Sequence, residues 1–71
     1  MIQANARLIR VRMAELDLTR QDLAEHAGLT DATLRRIMAG DDCKLSTLAS
    51  IASVLAIHPD EILIRGEAVA A

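Results

Sequence analysis

The sequence has no aromatic residue, one cysteine and one proline among its 71 residues. Without Phe, Trp or Tyr, a core has to be built from Leu, Ile, Val, Met and Ala, a set that favours packed helices over strands. The single cysteine, Cys43, excludes an internal disulfide. No apolar run reaches the roughly 18 residues of a membrane span, and the pattern of a signal peptide is missing. We therefore expect one all-α domain spanning residues 1–71, located in the cytoplasm and not bound to a membrane.

The side chains that commonly carry catalysis or hold metals do not occur in a recognised arrangement. His26, Cys43 and His58 match no zinc-ligand spacing, and they do not make up four ligands. The serines lack the His and acid partners that would activate a nucleophile, and there is no glycine-rich phosphate loop. We expect neither enzymatic activity nor a metal or cofactor.

The charge is unevenly distributed along the chain. A net charge of −2 argues against a protein that coats nucleic acid by bulk charge, although the local distribution matters more than the sum. Residues 1–20 carry four arginines and two acids, whereas residues 41–71 carry five acids against Lys44 and Arg65. The N-terminal half is therefore the basic side.

Helical periodicity predicts a first helix over about 4–16 and a fourth over about 45–55. Their inner positions are Ile2, Ala6, Ile9, Met13 and Leu16 in the first and Leu48, Ile51, Ala52 and Leu55 in the fourth. A fifth helix is predicted to begin at Pro59, because proline suits the first helical position and Asp60 and Glu61 suit the first turn. Ile62 and Leu63 would close the core, and the tail at about 66–71 is expected to fray.

Two capped helices joined by a glycine turn are predicted in the middle of the chain, at about 20–39. Thr19 is followed three residues later by Asp22, the spacing of a capping box, so a second helix should run to about residue 27. Gly28 suits the left-handed position past its end, and Thr30 can cap a third helix at about 31–39. The third helix should bury Leu34, Ile37 and Met38 and present Ala32, Arg35, Arg36 and Ala39 on its opposite side.

The segments LTRQDLAEHAGLTDATLRRIMAG, at 18–40, and LSTLASIASVLAIHPDEIL, at 45–63, together resemble the phage-repressor family of lambda repressor and Cro-type helix-turn-helix proteins. The resemblance implies a five-helix DNA-binding domain whose third helix lies in the major groove of double-stranded DNA. By register, the base-reading positions are Asp31, Ala32, Arg35 and Arg36, and the backbone-contacting positions are Thr19, Arg20, Thr30 and Lys44. Where the family often has an ion pair between the first and third helices, this chain has Met13 and Met38, and we expect these two side chains to be in contact.

The resemblance implies a sequence-specific transcriptional regulator, a repressor that acts as a homodimer. Its dimer surface is expected within residues 57–69, together with Leu8 or Val11. The alternative is an antitoxin-type or adaptor module that binds a protein partner, such as a toxin or another regulator, with secondary or no DNA binding. The acidic C-terminal half and Asp31 favour that alternative.

Overall fold

A computed structural model describes residues 2–65 of the chain. Five helices and two short strands follow one another in the order β1 (Ile2–Ala4), α1 (Ala6–Glu15), α2 (Arg20–Ala27), α3 (Asp31–Met38), α4 (Leu45–Val54), α5 (Pro59–Ile62) and β2 (Leu63–Arg65). The five predicted helices are confirmed. The tail at 66–71, expected to fray, lies outside the described residues.

The first helix begins at Ala6, two residues later than predicted. Residues 2–4 form β1, which pairs antiparallel with β2 in the register Ile2↔Arg65, Gln3↔Ile64 and Ala4↔Leu63. Asn5 then caps α1, because its Oδ1 accepts a hydrogen bond from the Leu8 amide at 3.2 Å. Three residues are too few to show the alternating pattern of a strand, and the apolar Ile2 matched the helical stripe by coincidence. The domain is therefore helical with a small two-stranded sheet.

The core is formed by apolar side chains from all five helices. Its fully buried members are Ile9, Leu23, Leu34, Leu48, Ile51, Leu55 and Ile62. The four inner positions predicted for α4 are all buried. Leu16, predicted to lie on the inner stripe of the first helix, is instead 38% exposed. The reason is that α1 ends at Glu15, so the helical periodicity no longer applies at the cap residue.

The ends of α4 and α5 are closed by local hydrogen bonds. Ala56, directly after the α4 cap, has φ 59°, a left-handed conformation more usual for glycine. Pro59 begins α5 as predicted, and His58 before it accepts a hydrogen bond at Nδ1 from the Asp60 amide at 3.2 Å. Ile62 is buried as predicted, whereas Leu63 is half-buried in β2.

A long-range hydrogen bond from Arg12 ties α1 to the end of α4. Arg12 Nε donates to the Leu55 carbonyl oxygen at 2.9 Å, and Arg12 Nη1 lies 3.0 Å from Glu15 Oε1. A carbonyl at a helix C-terminus has no partner within its own helix and carries partial negative charge, so a guanidinium there is favourable. Arg12 therefore acts as a link between two packed helices.

Candidate nucleic-acid interface

The first helix of the helix-turn-helix, α2, begins at a complete capping box. The Asp22 amide donates to Thr19 Oγ1 at 3.0 Å, and the Thr19 amide donates to Asp22 Oδ2 at 3.2 Å. The Thr19 backbone amide, and to a smaller extent the Thr19 side chain, lower the pKa of the Asp22 carboxyl below its ordinary value. The predicted capping role of Thr19 is thus confirmed, and α2 starts at a fixed residue.

The turn between α2 and α3 follows the predicted pattern. Gly28 has φ 74°, and the Leu29 amide after it donates to the Ala24 carbonyl oxygen at 2.8 Å. No atom lies within 4 Å of the place where a Cβ on Gly28 would stand, so the backbone angle alone accounts for glycine. Thr30 then caps α3 by accepting from the Thr33 amide at 3.1 Å. The turn at residues 28–30 therefore joins α2 directly to α3.

The two faces of α3 are clearly different. Leu34 and Ile37 are buried in the core, and Met38 is half-buried against it. The opposite face is exposed and consists of Ala32, Arg35, Arg36 and Ala39. Two small side chains flanking two arginines leave this face unobstructed. The prediction of an outward face with these four residues is confirmed.

Asp31, the first residue of α3, pairs with two arginines from different helices. Its Oδ1 lies 2.9 Å from Arg20 Nε at the start of α2, and its Oδ2 lies 2.9 Å from Arg35 Nη2 one turn further along α3. The Arg35 and then the Arg20 guanidinium hold the pKa of the Asp31 carboxyl below its ordinary value. We call Arg20, Asp31 and Arg35 the Asp31 cluster. Both carboxylate oxygens of Asp31 are therefore engaged by arginine.

A helix-turn-helix with these caps and this exposed face is typical of one family of DNA-binding domains. Residues 8–66 match the sequence model of the Cro/C1-type HTH DNA-binding domain. The chain belongs to the Cro/C1-type helix-turn-helix family. The resemblance seen in the sequence is thereby confirmed, and this domain is the helix-turn-helix of a DNA-binding family.

A solved structure agrees with this assignment to the Cro/C1-type family. The crystal structure of a candidate DNA-binding protein from Bacteroides fragilis matches with a TM-score of 0.71 and 26% sequence identity. The match covers 90% of this chain and 100% of that chain. No curated protein matches the chain at a significant level.

The Cro/C1-type domain brings most of the predicted backbone-contacting residues next to α3. Thr19, Arg20 and Asp31 line one cavity at the start of α2, together with Gln21. Gln21 is not among the predicted site residues. Its place directly after Arg20, at the exposed start of α2, is the feature of the sequence that could have indicated it. Thr30 is exposed at the start of α3. The start of α2 and the outward face of α3 therefore form one continuous exposed surface.

A third arginine joins this surface from α1. Arg10 lines a cavity of about 350 Å³ together with Arg20 and Arg35, so arginines from three helices converge there. Met13 and Met38 line the same cavity, which places them on facing helices. Their direct contact stays a prediction. From the sequence, Arg7, Arg10 and Arg12 are candidates either for weak attraction of phosphate or for a solvated face of the first helix. The approach of Arg10 to α3 depends on how α1 packs, so no local pattern singles it out among the three.

Arg36 and Lys44 lie together on the other side of α3. Both line a cavity of about 410 Å³ between α3, the 41–44 loop and α4, together with the acids Asp41 and Asp42. Lys44 is the N-cap residue of α4, and its side chain makes no capping hydrogen bond. Among the ion pairs within residues 2–65, none includes Arg36. Arg36 is therefore the outward arginine of α3 that is not engaged by a carboxylate in this part of the chain.

The described residues show neither a metal cluster nor a membrane helix. Within residues 2–65, no three His, Cys, Asp or Glu side chains lie close enough together to hold a metal ion. None of the helices in this range has the length and apolar character that a membrane crossing needs. Cys43 is buried, and burial raises the pKa of its thiol.

Proposed function

We propose that this Cro/C1-type domain is a sequence-specific transcriptional regulator that represses by occupying its DNA site as a homodimer. The observation that carries the proposal is the outward face of α3. It holds two arginines between two alanines on a helix whose other side is anchored by buried Leu34 and Ile37. The cytoplasmic location expected from the sequence stays a prediction.

Physical complementarity between α3 and the major groove supports base reading. An α-helix fits the major groove of B-DNA, and an arginine can donate two hydrogen bonds to O6 and N7 of guanine, worth about 1–3 kcal/mol of discrimination. Arg36 is the best suited reader because its guanidinium is not held in an ion pair within the described residues. Ala32, near the start of α3, is small enough to approach the methyl group of a thymine. Arg35 completes the proposed set. Asp31, which the resemblance also places among the base-reading positions, has its two carboxylate oxygens on Arg20 and Arg35.

The proposed backbone contacts come from the start of α2 and from the loop before α4. Thr19 and Arg20 stand at an N-terminus whose free amide groups and dipole favour a phosphate. Thr30 is exposed at the start of α3, and Lys44 at the start of α4. Contacts of this kind set the position of a protein on the duplex and carry no sequence information of their own.

The proposed dimer joins two copies through their C-terminal strands. Within residues 2–65, β1 pairs with β2 on one side and is bridged to Cys43 on the other, so the outer edge of β2 has no partner strand. An unpaired edge is a template for another strand. Ile64 on β2 is 43% exposed and Val11 on α1 is 49% exposed. Such a dimer would bind two half-sites about one helical turn, or roughly 34 Å, apart. The part of the expected surface at 66–69 lies outside the described residues.

Selection from a random duplex library, followed by fluorescence anisotropy at two salt concentrations, tests the proposal. The native protein should enrich one sequence, and Arg36→Ala should lose about 1–3 kcal/mol of preference at one base position. Arg36→Lys is the matched variant, since it keeps the charge and removes the bidentate geometry. It should retain the salt dependence and lose the preference for guanine. Equal, purely salt-sensitive binding by all three proteins would refute base reading.

A protein-interaction module is the second candidate. The C-terminal half of the chain presents acids that suit a basic partner protein, because Asp41, Asp42, Asp60 and Glu61 are all exposed. The antitoxin-type alternative predicts a stable complex with such a partner and no enriched DNA sequence.

Sedimentation velocity of the native protein and of Ile64→Lys separately tests the proposed dimer, because a lysine on the β2 edge should shift the equilibrium towards the monomer.

A further inference from the structure

One carboxylate holds two arginines of the proposed DNA surface. Arg20 belongs to the proposed backbone contacts and Arg35 to the proposed base readers, and each donates to a separate oxygen of Asp31 at 2.9 Å. All three side chains remain accessible to solvent, with exposed fractions of 47% for Arg20, 66% for Arg35 and 39% for Asp31. A phosphate or a base edge can therefore reach both guanidiniums, each of which already has Asp31 as a counter-charge.

We propose that Asp31 is a specificity-determining residue that weakens sequence-independent DNA binding by engaging Arg20 and Arg35. The inference rests on the proposed function in assigning these two arginines to DNA. Asp31 acts through the arginines and does not itself read a base. Asp31 makes the binding free energy between a phosphate and these two arginines less favourable.

Sequence-independent affinity for DNA depends on how many phosphates the protein neutralises. Each phosphate neutralised by a cation releases counterions, and this release supplies essentially all of the non-specific binding energy. The Asp31 cluster carries two positive charges and one negative charge, so its net charge is one positive charge instead of two. A phosphate that binds Arg20 or Arg35 meets a guanidinium whose charge Asp31 already partly neutralises, and fewer counterions are released as a result.

The exposure of the cluster keeps this effect moderate. Ion pairs between exposed side chains are weak, so DNA can displace Asp31 at little cost once a guanine accepts two hydrogen bonds from an arginine. Arg10 lines the same cavity as Arg20 and Arg35, and this third arginine keeps the surface basic while Asp31 is engaged. The expected consequence is a modest loss of affinity on random DNA and a better ratio of specific to non-specific binding.

Substitution Asp31→Asn tests the inference, because asparagine has nearly the same shape, carries no charge and suits the start of a helix. Anisotropy with a random-sequence duplex should show binding about 3- to 10-fold tighter than the native protein at about 50 mM salt. The slope of log K against log salt should become steeper by up to about 0.9, the value for one further phosphate contact. Glu25→Gln is the control, since Glu25 is exposed on α2 and belongs to none of the ion pairs within residues 2–65. It makes the same change in net charge and should alter binding less than 2-fold on the same scale.

A second background separates action through the arginines from direct repulsion between Asp31 and phosphate. In the variant Arg20→Ala/Arg35→Ala, the additional change Asp31→Asn should give little or no gain on the random duplex. A gain that persists in full would assign the effect to direct repulsion and overturn the inference. Unchanged random-duplex binding by Asp31→Asn in the native background would also overturn it. So would a loss of affinity confined to the preferred sequence, since that result identifies a base reader.

The same measurements distinguish a failure of this inference from a failure of the proposed function. If the native protein enriches no sequence, the proposed regulator is refuted, whereas the random-duplex comparison still decides the role of Asp31. If the native protein enriches a sequence and Asp31→Asn binds random DNA no more tightly, the regulator stands and the inference fails. Far-UV circular dichroism of each variant establishes that the helices are retained.

Discussion

Replacing Ala56 by glycine is expected to stabilise the domain. Ala56 follows the last residues of α4 with φ 59°, in the left-handed region that glycine adopts without steric cost. The conformation is imposed by the helix end, because the Ala56 amide donates to the Ser53 carbonyl oxygen at 3.2 Å and the Ile57 amide donates to the Ala52 carbonyl oxygen at 3.0 Å. These bonds satisfy carbonyl groups that the helix itself leaves unpaired.

Two opposing contributions set the size of the effect. A Cβ in the left-handed region costs roughly 1–2 kcal/mol, whereas glycine makes the unfolded chain more flexible and costs about 0.4–1 kcal/mol. The net gain in the free energy of unfolding should be about 0.5–1 kcal/mol. For a domain of this size, that corresponds to a rise in Tm of about 2–8 °C. Ala56 is exposed, so little packing is lost.

Thermal and urea unfolding followed by circular dichroism provide the measurement, and an alanine inside α4 provides the control. Ala49 lies inside α4, where glycine should lower stability by about 1 kcal/mol. The same chemical change is thus expected to have opposite effects on stability inside α4 and just after its end. Gly28→Ala, at φ 74° and with nothing within 4 Å of the added Cβ, should destabilise through strain alone. A loss of stability in Ala56→Gly comparable with that in Ala49→Gly would refute the argument from backbone conformation.

Three further predictions concern side-chain contacts. Arg12→Ala should lower the free energy of unfolding by about 1 kcal/mol in urea unfolding, because the carbonyl at the end of α4 loses a charged donor, whereas the exposed Arg7→Ala should change it by less than about 0.5 kcal/mol. The folded-state pKa of Asp22 is below its ordinary value of 3.8, so its stabilising effect is present above about pH 4 and is lost as the pH falls through the lowered pKa. The difference in Tm between the native protein and Asp22→Asn should therefore be largest near neutral pH and shrink as the pH falls below about 4, and a constant difference would contradict this. A double-mutant cycle of Met13→Ala and Met38→Ala should give a coupling of about 0.5 kcal/mol or more if the two side chains touch, whereas strictly additive effects would show that they do not.

Local signals in the sequence were sufficient to predict the helix-turn-helix. Thr19, Gly28 and Thr30 act through hydrogen bonds and backbone angles within a few residues, so their roles depend only on the neighbouring sequence. The apolar spacing of Leu34 and Ile37 likewise predicted which side of α3 is buried, and therefore which side is exposed.

Longer-range pairings could not be predicted in this way. The strand at Ile2–Ala4 exists because residues 63–65 return beside it, and three residues carry no period of their own. The hydrogen bond from Arg12 to Leu55 spans 43 residues, and no local pattern indicates it. In each case the partner is supplied by the packing of α1 against the C-terminal part of the domain.

The residues of the candidate interface also fall into these two groups. The sequence alone determined that α3 presents Ala32, Arg35 and Arg36 outward, because helical periodicity and the turn at Gly28 decide this locally. Only the tertiary structure brought Arg20, eleven residues away from Asp31, onto the same carboxylate as Arg35. The distance between two charges on different helices depends on the angle at which the helices pack, and this angle is set by the whole buried core.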